Sequence, residues 1–210
     1  YTLRLFVNGA LEASSASANG NLAPDSCYVG RGDTSSFAAG YTNINGYVSN
    51  FRIVRGSSVY TSAFTPPTTP LTAITNTSFL TLQSNRFIDN SSNAFAITAT
   101  GTPKVQAFQP FAPAASYDAA TYGGSGYFNG SGDYLSLADN AALQLSTGDF
   151  TIEGWFYISG ATSTAYNLIS KGAAATGWSL NTTTGARIQF SYTASNLTGT
   201  TTTLVQGAWY

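Results

Sequence analysis

Histidine and methionine are absent from these 210 residues, cysteine occurs once, as Cys27, and charged side chains make up only 8% of the chain. Each absence closes a route. Imidazole is the usual general base near neutral pH and the commonest transition-metal ligand, so a Ser-His-Asp triad, a Cys-His pair and any His-ligated zinc site are excluded. Cys27 has no partner for an internal disulfide. Soluble domains ordinarily carry about 25% charged residues; here polarity comes instead from 25 Ser, 29 Thr and 15 Asn. The net charge is −1 and no basic cluster occurs, which argues against nucleic acid or an anionic membrane, since both are held through many Lys/Arg contacts. No run reaches the ~20 apolar residues of a membrane-spanning helix, so membrane insertion is not expected. The chain starts inside a strand-like pattern and reads as an excerpt of a longer polypeptide, with any targeting signal expected outside it.

What is present is strand signal. Hydrophobic residues are 43% of the chain, 14% being aromatic, enough for a packed core. No window has the i, i+3, i+4, i+7 spacing of an amphipathic helix. Residues 2–8 (TLRLFVN) alternate Leu3, Leu5 and Val7 against Thr2, Arg4 and Phe6, and they end in the hairpin signal Asn8-Gly9. Residues 150–158 (FTIEGWFYI) set Phe150, Ile152, Phe156 and Ile158 on one face, with Thr151, Glu153, Trp155 and Tyr157 on the other. Residues 187–192 repeat the period of two. Shorter strands are predicted at 27–31, 47–55, 79–82, 95–98, 127–129, 134–137, 167–171, 178–181 and 203–205, with turn-formers between them. Many short strands predict an all-β sandwich or barrel. Three prolines within 66–70 mark a boundary, read as an extended linker or a surface loop.

Several stretches resemble the laminin-G-like branch of the concanavalin A-like lectin/glucanase superfamily. Residues 126–137 (GYFNGSGDYLSL) and 148–157 (GDFTIEGWFY) are similar to that family's opening half, preceded by 78–82 (SFLTL) and 87–93 (FIDNSSN). Residues 3–9 (LRLFVNG), 27–30 (CYVG) and 46–53 (GYVSNFRI) resemble its closing strands, and 208–210 (AWY) resembles the strand that begins its second half. The resemblance implies a two-sheet antiparallel jelly-roll sandwich whose strand order is rotated relative to an ordinary domain. Residues 1–70 then supply closing strands, 71–75 end a Pro/Thr-rich linker, and 76–210 supply opening strands. An excerpt of a tandem array or a circular permutant would each give this order. Residues 1–70 are expected to dock on 76–210 as one sandwich, since a bare half would leave sheet edges open.

The resemblance also implies a role. It points to a non-enzymatic carbohydrate- or cell-surface-binding module of an extracellular or virion-surface protein, such as a phage tail fibre or bacterial adhesin. Its partners would be a glycan or cell-surface polysaccharide and neighbouring copies of the same domain. A structural spacer or decoration domain without a ligand is the alternative. Trp155, Tyr157, Trp178, Asn181 and Tyr192 are the candidate carbohydrate-binding residues, because aromatic faces stack on sugar C–H surfaces while amides bond sugar hydroxyls. No cofactor is required. Calcium-binding relatives place Asp33 at a ligand position, but the matching second loop, 172–177 (GAAATG), has no acid, whereas Ca²⁺ takes six to eight oxygens. Asp133 and Asp149 are read as turn-closing residues, and Arg31-Gly32-Asp33 as a turn. A third reading, glycoside hydrolysis, needs two carboxylates roughly 5–9.5 Å apart, and Glu153 is the one acid inside a clear strand.

Overall fold

A computed structural model describes residues 2–16, 25–32, 41–112, 114–116, 118, 120–145, 148–172, 177–192 and 195–210. The strands are β1 (Thr2–Val7), β2 (Ala10–Ala16), β3 (Cys27–Val29), β4 (Thr42–Asn43), β5 (Asn45–Arg55), β6 (Thr77–Thr81), β7 (Thr98–Thr100), β8 (Lys104–Gln106), β9 (Ser125–Asn129), β10 (Tyr134–Leu137), β11 (Phe150–Ile158), β12 (Tyr166–Lys171), β13 (Trp178–Thr182), β14 (Ile188–Tyr192) and β15 (Ser195–Thr198). One 3-10 turn, Ala141–Leu143, is the sole helical element among the described residues. The architecture is all-β and sandwich-like. One sheet has the order β15-β14-β13-β12-β3-β10-β7, with β4 added beside β12, and the other has the order β11-β5-β9-β8, with β6 added beside β5. Pairing is antiparallel throughout except between β4 and β12.

Strands from before and after the proline-rich stretch share both sheets. β3 lies between β12 and β10, and β5 lies between β11 on one edge and β9 and β6 on the other. The proline-rich stretch is fastened at both ends. Phe64 N–H donates to the Gly9 carbonyl (3.0 Å), Leu71 N–H donates to Asn50 Oδ1 (2.8 Å), and the Thr72 carbonyl accepts from the Arg52 guanidinium (2.6 Å).

Between the sheets lies one apolar core. Val29, Leu135, Ile169 and Trp178 of the larger sheet meet Ile53, Phe79, Phe128 and Ile158 of the smaller one, and all eight are fully buried. Gly30 permits the closest approach, since a Cβ there would lie 2.8 Å from the Phe128 ring, and its φ of +87° suits glycine.

The hairpin at Asn8-Gly9 forms as predicted, with φ of 50° and 78° at the two turn residues. Two strand assignments differ. Pairing near 95–98 begins only at Thr98, because the Phe95 N–H is taken by Asp89 Oδ2 (2.9 Å). Residues 203–205 form no strand; Leu204 is buried there by a single bond from its N–H to the Ala186 carbonyl (2.8 Å). β2, β4, β8 and β15 are additional strands that sequence alone did not mark.

The β1–β2 hairpin is held to the body by Glu12, which is only 4% exposed. Its carboxylate accepts from the backbone N–H groups of Thr201 (2.7 Å) and Thr202 (2.9 Å) and from the Thr202 hydroxyl. Burial pushes this carboxyl up, but the Thr202 and Thr201 bonds and the Arg187 charge outweigh burial and leave it below the ordinary 4.5. A lowered folded-state value means that the contribution is complete above the unfolded value and fades as pH falls through the folded one. Glu12→Gln is therefore expected to cost about 1–3 kcal/mol at pH 7. Urea unfolding at a series of pH values checks this: the difference from the parent should shrink as the pH drops below the carboxyl range.

Candidate functional site

The period of two aims Trp155 and Tyr157 of β11 away from the core, because Phe156 and Ile158 between and beside them are buried in it. Register then gathers more rings around Tyr157. Tyr47 on β5 stands directly opposite Tyr157 and directly opposite Tyr127 on β9, so three tyrosines form a row across three strands. Ring centroids are 5.7 Å apart for Tyr47–Tyr157 and 5.1 Å for Tyr47–Tyr127. Phe108 lies 4.9 Å from Tyr47 and 5.0 Å from Tyr157, and Trp209 lies 5.6 Å from Tyr157 and 5.3 Å from Phe108. Phe111 caps Trp155 edge-on at 5.7 Å. All seven rings are half-buried. Burial, and then the neighbouring Tyr127 and Tyr157, hold the Tyr47 hydroxyl above the ordinary tyrosine range.

The other expected sugar-binding residues lie elsewhere. Trp178 is fully buried and stacks on Phe190 (6.3 Å), and Tyr192 packs on the same inner face, 5.8 Å from Phe190. Asn181 is on the opposite face of β13, also fully buried. Its Oδ1 accepts from Ser179 Oγ (3.1 Å) and Ser191 Oγ (3.2 Å), and its Nδ2 donates to Gln189 Oε1 (3.1 Å). Every hydrogen-bonding atom of that amide except one N–H is occupied, and no surface is left for a sugar. Trp155 and Tyr157 thus share a face with Tyr47, Tyr127, Phe108 and Trp209, and not with Trp178, Tyr192 or Asn181. Asp33 and residues 173–176 lie outside the described residues.

Glu153 is also on the outer face of β11, but its oxygens are committed. Arg52, opposite it on β5, donates two bonds to Oε1 (2.8 and 2.6 Å), and the Tyr60 hydroxyl donates to Oε2 (3.0 Å). The Tyr60 hydroxyl is pushed up to about 12 by burial and then by the Glu153 charge. A glycosidase would need a second carboxylate in place of this guanidinium. Asp133 Oδ2 receives the Asn129 N–H (3.1 Å) across the 129–133 turn, the turn-closing role expected of it, and its Oδ1 receives the Thr102 N–H (2.6 Å) of a distant segment. Among the described residues no group of three or more acids and thiols is gathered as metal ligands, and Cys27 is buried with its thiol pushed up to about 12 by burial.

No protein-family model, curated protein or solved structure matches the chain.

Two substitutions separate structural from exposed roles. Trp178→Ala is expected to destabilise the fold by about 3–5 kcal/mol through the cavity it leaves. Arg52→Ala is expected to cost about 3–5 kcal/mol by stranding the Glu153 carboxylate without its partner. Urea denaturation measures both, and a loss under 1 kcal/mol at either site would contradict its assigned place.

Proposed function

We propose that this chain is a laminin-G-like jelly-roll module that binds neutral glycan on the aromatic face of its smaller sheet, in an extracellular or virion-surface protein. One observation carries the reading: Tyr157, Tyr47 and Tyr127 form a row of half-exposed rings, continued by Trp209 and Phe108. Such rings offer π-faces to the C–H surfaces of a sugar, and the tyrosine hydroxyls offer hydrogen bonds at the edge. A chain with 8% charged residues and a net charge of −1 suits an uncharged polysaccharide better than a sulfated or phosphorylated one. The rotated order of family-like segments fits a tandem array, in which neighbouring copies are the second partner. Binding of this kind requires no cofactor.

A spacer without a ligand is the second reading, and a specific feature favours it: the rings meet edge to face, as aromatic clusters do when they only cover a sheet. Glycan-array binding, with and without added calcium, decides between the two. The parent should bind a neutral glycan, and Tyr157→Ala and Trp155→Ala should each weaken it about 3–10-fold, the equivalent of roughly 0.5–1.5 kcal/mol per aromatic contact, with the fold intact by circular dichroism. No binding above background, or binding unaffected by both substitutions, would favour the spacer.

A further inference from the structure

Scarce sulfur decides where oxidation of this chain falls. Methionine and accessible thiols are common oxidation targets; methionine is absent, and Cys27 is fully buried with its thiol held protonated, pushed up to about 12 by burial. Thirteen tyrosines and three tryptophans remain as the oxidisable side chains.

Two of those tyrosines are placed to react with each other. Tyr47 of β5 and Tyr127 of β9 stand directly opposite in antiparallel register, fixed by the flanking pairs Gly46–Phe128 and Val48–Gly126, and such a relation holds Cβ atoms about 4.5–5.5 Å apart. Their ring centroids are 5.1 Å apart with the planes inclined at 52°, the shortest tyrosine–tyrosine approach among the described residues. Tyr157, on the other side of Tyr47, is farther at 5.7 Å and meets it almost at a right angle, 80°. One ring edge there points at the other ring's face, so the two edges do not come together.

Both Tyr47 and Tyr127 are half-buried. Their hydroxyls donate to no described residue, whereas those of Tyr41 and Tyr60 are bonded to Gln189 and Glu153. A phenol without a protein acceptor can release its proton to water as it loses an electron.

We propose that Tyr47 and Tyr127 form an oxidative coupling site, joined by a Cε–Cε bond when the chain meets hydrogen peroxide and a peroxidase-type one-electron oxidant. Each phenol gives up one electron and its hydroxyl proton, and the two phenoxyl radicals pair to make the carbon–carbon bond. The hydrogen on each bonded carbon then moves to the phenol oxygen, and both rings regain aromaticity. The protein loses two hydrogens in all, and one hydrogen peroxide takes them up to become two waters. Fixed proximity favours this pair over coupling between dilute chains. β5 precedes the proline-rich stretch and β9 follows it, so the bond closes that length of chain covalently, as a disulfide would in a chain with a second cysteine.

Treatment of the 210-residue chain with peroxidase and one equivalent of hydrogen peroxide tests this, read by intact mass, dityrosine fluorescence and sequencing of the cross-linked peptide. The expected product is a monomer lighter by two hydrogens whose cross-link joins Tyr47 to Tyr127, and it should unfold at a higher urea concentration than the untreated chain. Tyr47→Phe and Tyr127→Phe, which keep the rings and their packing, should each lose that product. A cross-link between another pair of tyrosines, coupling only between separate chains, oxygen addition to tryptophan in place of coupling, or a urea midpoint no higher than that of the untreated chain would overturn the proposal.

Discussion

The structure depends on the backbone ladder of β5, the longest strand among the described residues, which holds three of the four other strands of the smaller sheet along its two edges. Its eleven residues carry β11 on one side and β9 and β6 on the other. At Asn50, in the left-handed region at φ +50°, the pairing with β11 shifts register. The side chains there are used to hold neighbours: Ser49 Oγ donates to the Gly124 carbonyl (2.5 Å) and Asn50 Oδ1 receives the Leu71 N–H. β3 plays the same part in the larger sheet. Both central strands precede the proline-rich stretch, and the strands they organise follow it. Removing them would leave β11, β9, β12 and β10 with unpaired edges, a high-contact-order arrangement in which distant segments must meet before either sheet closes.

Scarce charge acquires a structural meaning once the partners are known. Glu12, Asp89 and Asp133 each gather backbone N–H groups where loops cross the sheets. Glu153 pairs with Arg52, and buried Lys171 bonds Asp139 (2.6 Å) and the Asp25 carbonyl. Few ions are left over for the surface. That surface is instead hydroxyls, amides and half-exposed rings, which can meet an uncharged partner without paying to strip water from ions.

Strand positions with alternating apolar residues were legible in the sequence, as at 2–7, 150–158 and 178–182, because period two is a one-dimensional signal. β2, β8 and β15 were not, since ALEASSA, KVQ and SNLT carry no clean alternation and are fixed by pairing with distant partners. The site was half legible for the same reason. Outward placement of Trp155 and Tyr157 follows from parity within one strand. Tyr47 and Tyr127 join them only through cross-strand register, and Phe108 and Trp209 only through loop and terminal packing. Parity also carried a warning: Trp178 and Asn181 are three residues apart on one strand, so they cannot share a face.

Dissection at the proline-rich stretch tests most directly whether β3 and β5 organise everything else. A fragment of residues 76–210 and a fragment of residues 1–70 are prepared separately, and their amide nuclear magnetic resonance spectra are recorded alone and mixed. The expected result is poor dispersion for each fragment alone and a dispersed, native-like spectrum on mixing. A well-dispersed spectrum from residues 76–210 alone, unchanged when 1–70 is added, would contradict the account.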